Sequence, residues 1–402
     1  MGLMIEVSMA ASARVSGQHS TPWRIALAGD VMLGRGIDQI LGCPSAPELR
    51  EAVCRSAMDY VSLAETRRGK PLPRAAAPAY PWGDALRVRE SEELDALIVN
   101  LETSVTTSGE FAPKGINYRM HPRNVASLQA ARVDCCALAN NHVMDFGVSG
   151  LLETLDVLDA AHIGRAGAGR SLDEAAAPAV LRRPGGDRVL VWSCCLESSG
   201  VPPDWGARPS RPGVWLLDDL SESTLGDIEA RISAVRRPRD LAVVSIHWGP
   251  NWGYRIPAAH CRFAYALVEE AGAAIVHGHS SHHPKSMEVH GGRLILYGCG
   301  DFINDYEGIG GYEEFAPDLS LLYLADVDSA SGNLRRLRAA PFQIYGMRLN
   351  DADSQRRAWL AAMIEDPARG GGLRVQQDGL LDLHWQDESG PKATRGRTAG
   401  AS

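Results

Sequence analysis

The chain has 402 residues, 45% of them hydrophobic, enough for a large buried core. Its 41 basic and 49 acidic residues leave a formal net charge of −8, which argues against a nucleic-acid-binding scaffold because polyanions find no general attraction. No run of about 18 apolar residues exists to span a bilayer, and Met1 to Ser20 lacks the basic start and apolar centre of a secretory signal. A cytoplasmic protein with neither membrane nor nucleic-acid partner is therefore expected.

Residues 1–21 are small and polar and are expected to form a disordered tail. Residues 23–28 read as a buried strand ending at Gly29-Asp30. Residues 44–92 hold a helix-like stretch and a Pro/Ala-rich loop at 71–81, an expected insertion near the site. A second strand, 94–99, ends at Asn100-Leu101-Glu102. After a helix at 125–131, the strand 135–138 ends at Asn140-Asn141-His142, and 150–160 has helical apolar spacing. The strand 189–194 precedes a Pro/Trp-rich loop at 201–215 and a helix at 220–235. The strand 241–246 ends at His247-Trp248-Gly249. A helix at 260–271 is stopped by Gly272, and the strand 273–276 leads into Gly278-His279. Residues 294–297 and 319–327 are further strands. Strands alternating with helices predict an α/β fold with buried sheets. One domain is expected over 22–345, with 346–402 as a C-terminal extension whose end, from about Asp387, is loose.

Eight cysteines are present, none in a C-x-x-C pair, so a zinc ribbon is not expected. Cys135-Cys136 and Cys194-Cys195 sit in strand-like runs, where thiols pack as small hydrophobes.

In α/β folds chemistry collects beyond the carboxyl ends of strands. Here five strand ends deliver Asp30, Glu102, Asn141 with His142, His247, and His279 with His282. Each alone is weak evidence: a Gly-Asp is usually a turn, and a histidine after a strand is usually structural. Together, oxygen and imidazole donors suit a borderline divalent ion such as Mn, Fe, Zn, Ni or Co.

The segments Gly29-Asp30-Val31-Met32-Leu33-Gly34-Arg35, Asn100-Leu101-Glu102, Ala139-Asn140-Asn141-His142-Val143-Met144-Asp145-Phe146-Gly147, His247-Trp248-Gly249, Gly278-His279-Ser280-Ser281-His282 and Tyr297-Gly298-Cys299-Gly300-Asp301-Phe302 resemble, in order, the motifs of the CapA family of poly-γ-glutamate capsule synthesis proteins. The resemblance runs from about residue 23 to 330. It implies the calcineurin-like metallophosphatase fold, a four-layer α/β/β/α sandwich with a two-metal site. By position, Asp30 resembles the first carboxylate ligand and Glu102 the bridging one. Asn141, His247 and His279 resemble ligands of the second metal, His282 a ligand of the first, and His142 the outer-sphere histidine. Two divalent ions are implied, their identity open among Mn, Fe, Zn, Ni, Co, Mg and Ca, with no organic cofactor. This chain departs from the pattern in three places: Met32 stands where a histidine ligand is usual, Glu102 replaces the bridging aspartate, and Asp301 stands where the family has asparagine.

Some soluble CapA-like proteins are lasso-peptide epimerases, and this chain is similar to them in length and motif set. That resemblance implies a peptide substrate and inversion at Cα of a C-terminal residue through a metal-stabilised enediolate. Such a reaction needs an acid and a base on opposite faces of Cα, for which His142, Asp301, Cys299 and His283 are the candidates. Arg35 and Arg119 are candidate anion binders, and Trp248, Trp252 and Tyr254 a candidate apolar wall for a side chain. The alternatives are a phosphoester or γ-glutamyl amide hydrolase serving poly-γ-glutamate synthesis, and a non-catalytic binding protein.

Overall fold

The computed structural model describes residues 21–365 and 371–385. The tails expected at 1–21 and beyond about 387 lie outside these residues, apart from Thr21. Two sheets carry the fold. In the first, β1 (Trp23–Val31), β2 (Ala96–Leu101), β3 (Cys135–Ala137) and β4 (Gly164–Ala166) run parallel. In the second, β5 (Arg188–Leu196), β6 (Leu241–His247), β7 (Ile275–His279) and β8 (Arg293–Leu296) run parallel. The first sheet also holds the short strand β9 (Asp301–Ile303), parallel to β1, and β10 (Leu319–Val327), antiparallel to it. Strand β11 (Leu334–Ile344) follows β10.

The alternation of side chains along each strand divides the core into three layers. Ile25, Leu27, Ile98, Tyr323, Val189, Val191, Val243 and Ile275 meet between the two sheets. On the outer face of the first sheet, Ala26, Val99 and Phe342 pack against Val61 and Ala64 of the helix Ala57–Arg68 and Leu151 and Leu155 of the helix Gly147–Ala160. On the outer face of the second, Trp192, Val244 and Ile246 pack against Ile228 of the helix Glu222–Val235 and Phe263 of the helix Ala258–Glu269. This is the four-layer α/β/β/α sandwich. Cys135 and Cys136 obey the same alternation, one facing the inter-sheet core and the other the outer layer. None of the eight cysteines, all among the described residues, is in a disulfide.

The segment expected as a C-terminal extension adds β12 (Leu349–Asp351), β13 (Gly371–Val375) and β14 (Leu381–Trp385) to the first sheet through β11. Among the described residues no helix is long and apolar enough to cross a membrane.

Candidate metal centre

The parallel strands of both sheets point their carboxyl ends at one place. Asp30 is the next-to-last residue of β1, Glu102 directly follows β2, Asn141 and His142 follow β3, and His247 and His279 close β6 and β7. The two histidine strands are in register, with His247 opposite His279. Gly29 permits the next approach: a Cβ there would lie 1.8 Å from the Gly300 carbonyl. That carbonyl accepts from the Asp30 amide at 3.1 Å, which sets β9 against β1 with Asp301 opposite Asp30.

Two groups of ligand atoms result, Asp30 with His247 and His279, and Asp30 with His282 and Asp301, each within 4.8 Å of one another and all buried. Asn141 joins the first group, its Oδ1 3.1 Å from His247 Nε2. Glu102 lies beside Asp30: the Asn100 amide donates to Asp30 Oδ1 at 2.7 Å and to Glu102 Oε2 at 3.1 Å. Ser245 Oγ, 2.8 Å from His279 Nε2, leaves Nδ1 facing the site. Ser280, between two of the histidines, holds φ of 99°, a strained backbone that turns the Gly-His-Ser-Ser-His run back on itself.

The residues fit a divalent centre. Asp30 Oδ2 is buried and has no hydrogen-bond partner among protein atoms, and buried carboxylates are otherwise paired or bound to metal. Burial, and then the neighbouring Asp301, pushes Asp30 up to about 7. Burial, and then Asp30, likewise raises Glu102. Burial holds His247 and His279 well below their ordinary range, so both are neutral donors. Burial opposes the charge on His282, but the Asp301 carboxylate outweighs it and raises the histidine.

His142 is placed differently. Its Nδ1 lies 2.6 Å from Asp145 Oδ2 and its Nε2 3.8 Å from Glu102 Oε1. Asp145 thus fixes the Nδ1–H tautomer and leaves Nε2 facing the cluster. Burial pushes His142 down to about 4, against the pull of Asp145. Lys114 Nζ pairs with Asp145 Oδ1 at 2.9 Å and donates to the Asn141 carbonyl. Asn140 receives the His142 and Val143 amides and donates to Asn100, tying the two loops together.

Beside the cluster opens a cavity of about 580 Å³, bounded by residues 51–63, Gly115 and Ile116, Asn251 and Trp252, His282, and residues 306–317. Its rim exposes Val53, Leu63, Ile116, Ile309 and Tyr312. Trp252 stacks on Tyr312 with ring centroids 4.1 Å apart. Residues 51–63, within the segment 44–92, supply one wall, and Trp252 lines another.

Other expected residues stand elsewhere. Arg35 lines the cavity, but its guanidinium is taken up by Asp305 (3.2 and 2.5 Å), Glu51 (3.1 Å) and Tyr60 (2.8 Å), so it is a structural ion pair and not a free anion binder. Arg119 donates to the carbonyls of Ser108 and Ala46 and lies over Phe146, away from the cavity. Trp248 belongs to the outer core of the second sheet, stacked on His260 with its indole N–H on the Tyr297 carbonyl. Tyr254 backs the cavity wall by packing on His283 and Phe315. His283 has both nitrogens engaged, Nδ1 at 3.1 Å from the Pro284 carbonyl and Nε2 accepting from the Gly253 amide, so it carries no proton to substrate. Cys299 is packed between the sheets, where burial and then Asp30 push its thiol up, so it offers no thiolate. Asp301 stands among the ligands, its Oδ1 2.8 Å from His282 Nδ1.

The sequence reading missed Asn100, Lys114, Asp145, Asp305 and Tyr306. Asn100 and Asp145 lie inside the motifs already singled out. Lys114 reaches the site from a loop that no local pattern marks. Tyr306 lines the cavity and its hydroxyl pairs with that of Tyr118 at 2.9 Å.

The family model described as bacterial capsule synthesis protein PGA_cap matches residues 24–306. A probable polyglutamine synthesis accessory protein of Mycobacterium tuberculosis (strain H37Rv) is 48% identical over 363 residues, 89% of this chain and 95% of that one. The PGA biosynthesis protein CapA of Bacillus subtilis (strain 168) is 28% identical over 213 residues, 52% of this chain and 53% of that one. Among solved structures, a crystal structure of a novel phosphatase from Mycoplasma pneumoniae is similar at TM-score 0.44 and 12% identity, covering 83% of this chain and 96% of that one. The family model over residues 24–306 and the relative that is 48% identical along 89% of the chain agree with the sequence motifs: the chain belongs to the bacterial capsule synthesis protein PGA_cap family, the family of CapA.

Proposed function

We propose that this protein is a divalent-metal-dependent enzyme that acts on a peptide and inverts Cα of a residue at its carboxyl end. The observation that supports the peptide is the cavity. Its walls are largely apolar and aromatic, and among the described residues the only lysine or arginine lining it, Arg35, is paired with Asp305 and Glu51. A polyanion such as poly-γ-glutamate calls for unpaired cations. An apolar side chain fits these walls and is stabilised by about 1.5–3 kcal/mol on burial.

Asp30, Glu102, Asn141, His247, His279 and His282 would hold the ions, which supply Lewis acidity toward a substrate carboxylate or carbonyl. His142 accepts the Cα proton at Nε2, oriented by Asp145 on its other nitrogen. Tyr306 returns a proton from the cavity side: burial holds its phenol protonated, and Tyr118 orients the hydroxyl. Tyr118 packs edge-on against His142 with centroids 4.6 Å apart, so both proton carriers share one frame.

A second reading, hydrolysis of an amide or phosphoester, is favoured by the His142–Asp145 pair, whose free Nε2 faces the cluster and can take a proton from an attacking water. One experiment separates the two. The protein is incubated with Mn²⁺ in D₂O with peptides ending in Trp, Phe, Leu or Glu, and the products are read by mass and chiral analysis. One deuterium at Cα without cleavage supports inversion, with the apolar ends preferred over Glu. Cleavage without label supports hydrolysis. Neither outcome, in protein that binds Mn²⁺, overturns both.

A further inference from the structure

We propose that Asp301 is itself a metal ligand, filling with a carboxylate the coordination place that Met32 leaves without a donor. The inference rests on the metal-dependent reading above and concerns how this chain builds its first ion position, the one with His282.

Four observations carry it. The backbone, not a rotamer, puts Asp301 beside Asp30: β9 pairs with β1 with these two residues opposite each other, and Gly29 allows that approach. Next, Asn304 Nδ2 donates to Asp301 Oδ2 at 2.8 Å, which holds that oxygen back and leaves Oδ1 turned to the cluster. A role limited to orienting His282 fits less well, because the far nitrogen of that ring is already engaged. His282 Nε2 lies 2.9 Å from Asn251 Nδ2, so the ring presents Nδ1 to the same point that Asp30 and Asp301 face. Finally, Met32 is fully buried and its thioether receives the Tyr306 hydroxyl at 3.6 Å, a soft and weak donor turned to another partner.

Asp30, Glu102 and Asp301 then make three buried carboxylates, and among the described residues their ion pairs are with His279, His142 and His282, not with lysine or arginine. Such a set suits a hard ion such as Mn²⁺, Mg²⁺ or Ca²⁺, while the His247, His279 and Asn141 side suits a borderline one. The two positions are predicted to differ in affinity and preference.

The test is a calorimetric titration of the metal-free full chain with MnCl₂, with bound manganese counted after gel filtration. The wild type is expected to bind two equivalents. Asp301→Asn keeps the shape and is expected to lose one equivalent or bind it about 10–100-fold more weakly. Adding Met32→His to Asp301→Asn is expected to restore it, which a purely orienting role for Asp301 does not predict. Should Asp301→Asn fail to fold, anomalous diffraction from Mn²⁺-soaked wild-type crystals decides. A manganese peak within about 2.6 Å of Asp301 supports the assignment, and peaks that all lie farther away overturn it. Asp301→Asn binding manganese like the wild type overturns this inference alone. A wild type that binds no manganese overturns the metal-dependent reading with it.

Discussion

The cluster and the cavity beside it are built in opposite ways. The cluster sits on strand ends whose register is fixed by backbone hydrogen bonds, His247 against His279 and Asp30 against Asp301. The apolar lining of the cavity comes from separate segments that meet only in the fold, among them those of Val53, Ile116, Trp252 and Tyr312. The first is polar, buried and held by second contacts such as Ser245 and Asn100. The second is apolar and partly exposed. Rigid elements place chemistry to within fractions of an ångström, and loops vary what is bound. The chemistry of this protein is thus separable from its selectivity, and substitutions in the two regions should fail in different measurements.

The sharpest break is at the cluster. His247→Ala removes one of the imidazoles that face Asp30. Metal affinity is expected to fall by at least about 100-fold, and turnover with it. Calorimetric titration and elemental analysis check this, and retention of full metal content would remove His247 from the ligand set. Next comes His142→Asn, which deletes the proposed proton carrier and leaves the proposed ligands in place. Turnover is expected to fall about 10²–10⁴-fold with manganese stoichiometry unchanged. Loss of metal in this variant would move His142 back among the ligands.

Between the two regions lies Arg35, a buried cation joined to Asp305 and Glu51 and clasped by the Tyr60 and Tyr118 rings at 3.8 and 4.2 Å. It also holds φ of 47°, which the surrounding contacts must enforce. Arg35→Met leaves two carboxylates without their cation, and breaking a buried pair this way costs about 3–5 kcal/mol. Urea unfolding is the measurement. A loss under about 1 kcal/mol would mean that the carboxylates are compensated by other groups and that Arg35 is free to serve substrate.

A smaller effect is expected in the cavity. Trp252→Ala deletes the ring stacked on Tyr312. KM for an apolar-ended peptide is expected to rise about tenfold or more, the equivalent of about 1.5–3 kcal/mol of lost burial, with metal binding unaltered. An equal fall in kcat at saturating peptide would show that Trp252 acts on the chemistry and would erase the division drawn above.

That division also explains what the sequence disclosed. Asp30, Glu102, Asn141, His247, His279 and His282 were legible because each follows an apolar run that can only be a buried strand, and parallel strands align their ends. The alternation of strands and helices predicts an α/β fold with buried sheets; the four-layer sandwich was implied by the resemblance to the CapA family. The cavity was not legible: nothing near Val53 or Ile116 says that they face each other. Pairing partners were hidden for the same reason. Arg35 reads as a free guanidinium until the fold brings Asp305, which is 270 positions away, onto it. Trp248 reads as a wall beside a ligand, yet strand alternation turns it to the opposite face from His247, into the outer core.

Cys299 tests the same alternation most finely. By position it is adjacent to Gly300 and Asp301, and a thiol there invites a role as acid or base. The structure turns it into the layer between the sheets, with Gly29 across from it and its carbonyl receiving the Tyr323 hydroxyl at 3.4 Å. Burial raises its pKa, so the reactive thiolate is suppressed as well as shielded. Cys299→Ala therefore removes only packing. Stability is expected to drop by about 1 kcal/mol, while turnover stays within about twofold of the wild type, because the proposed proton carriers, His142 and Tyr306, are left intact. A variant that melts normally and binds two manganese ions but no longer turns over would place the reacting carbon on the inter-sheet side of Asp30. The cavity would then be an entrance to the site and not the seat of the substrate.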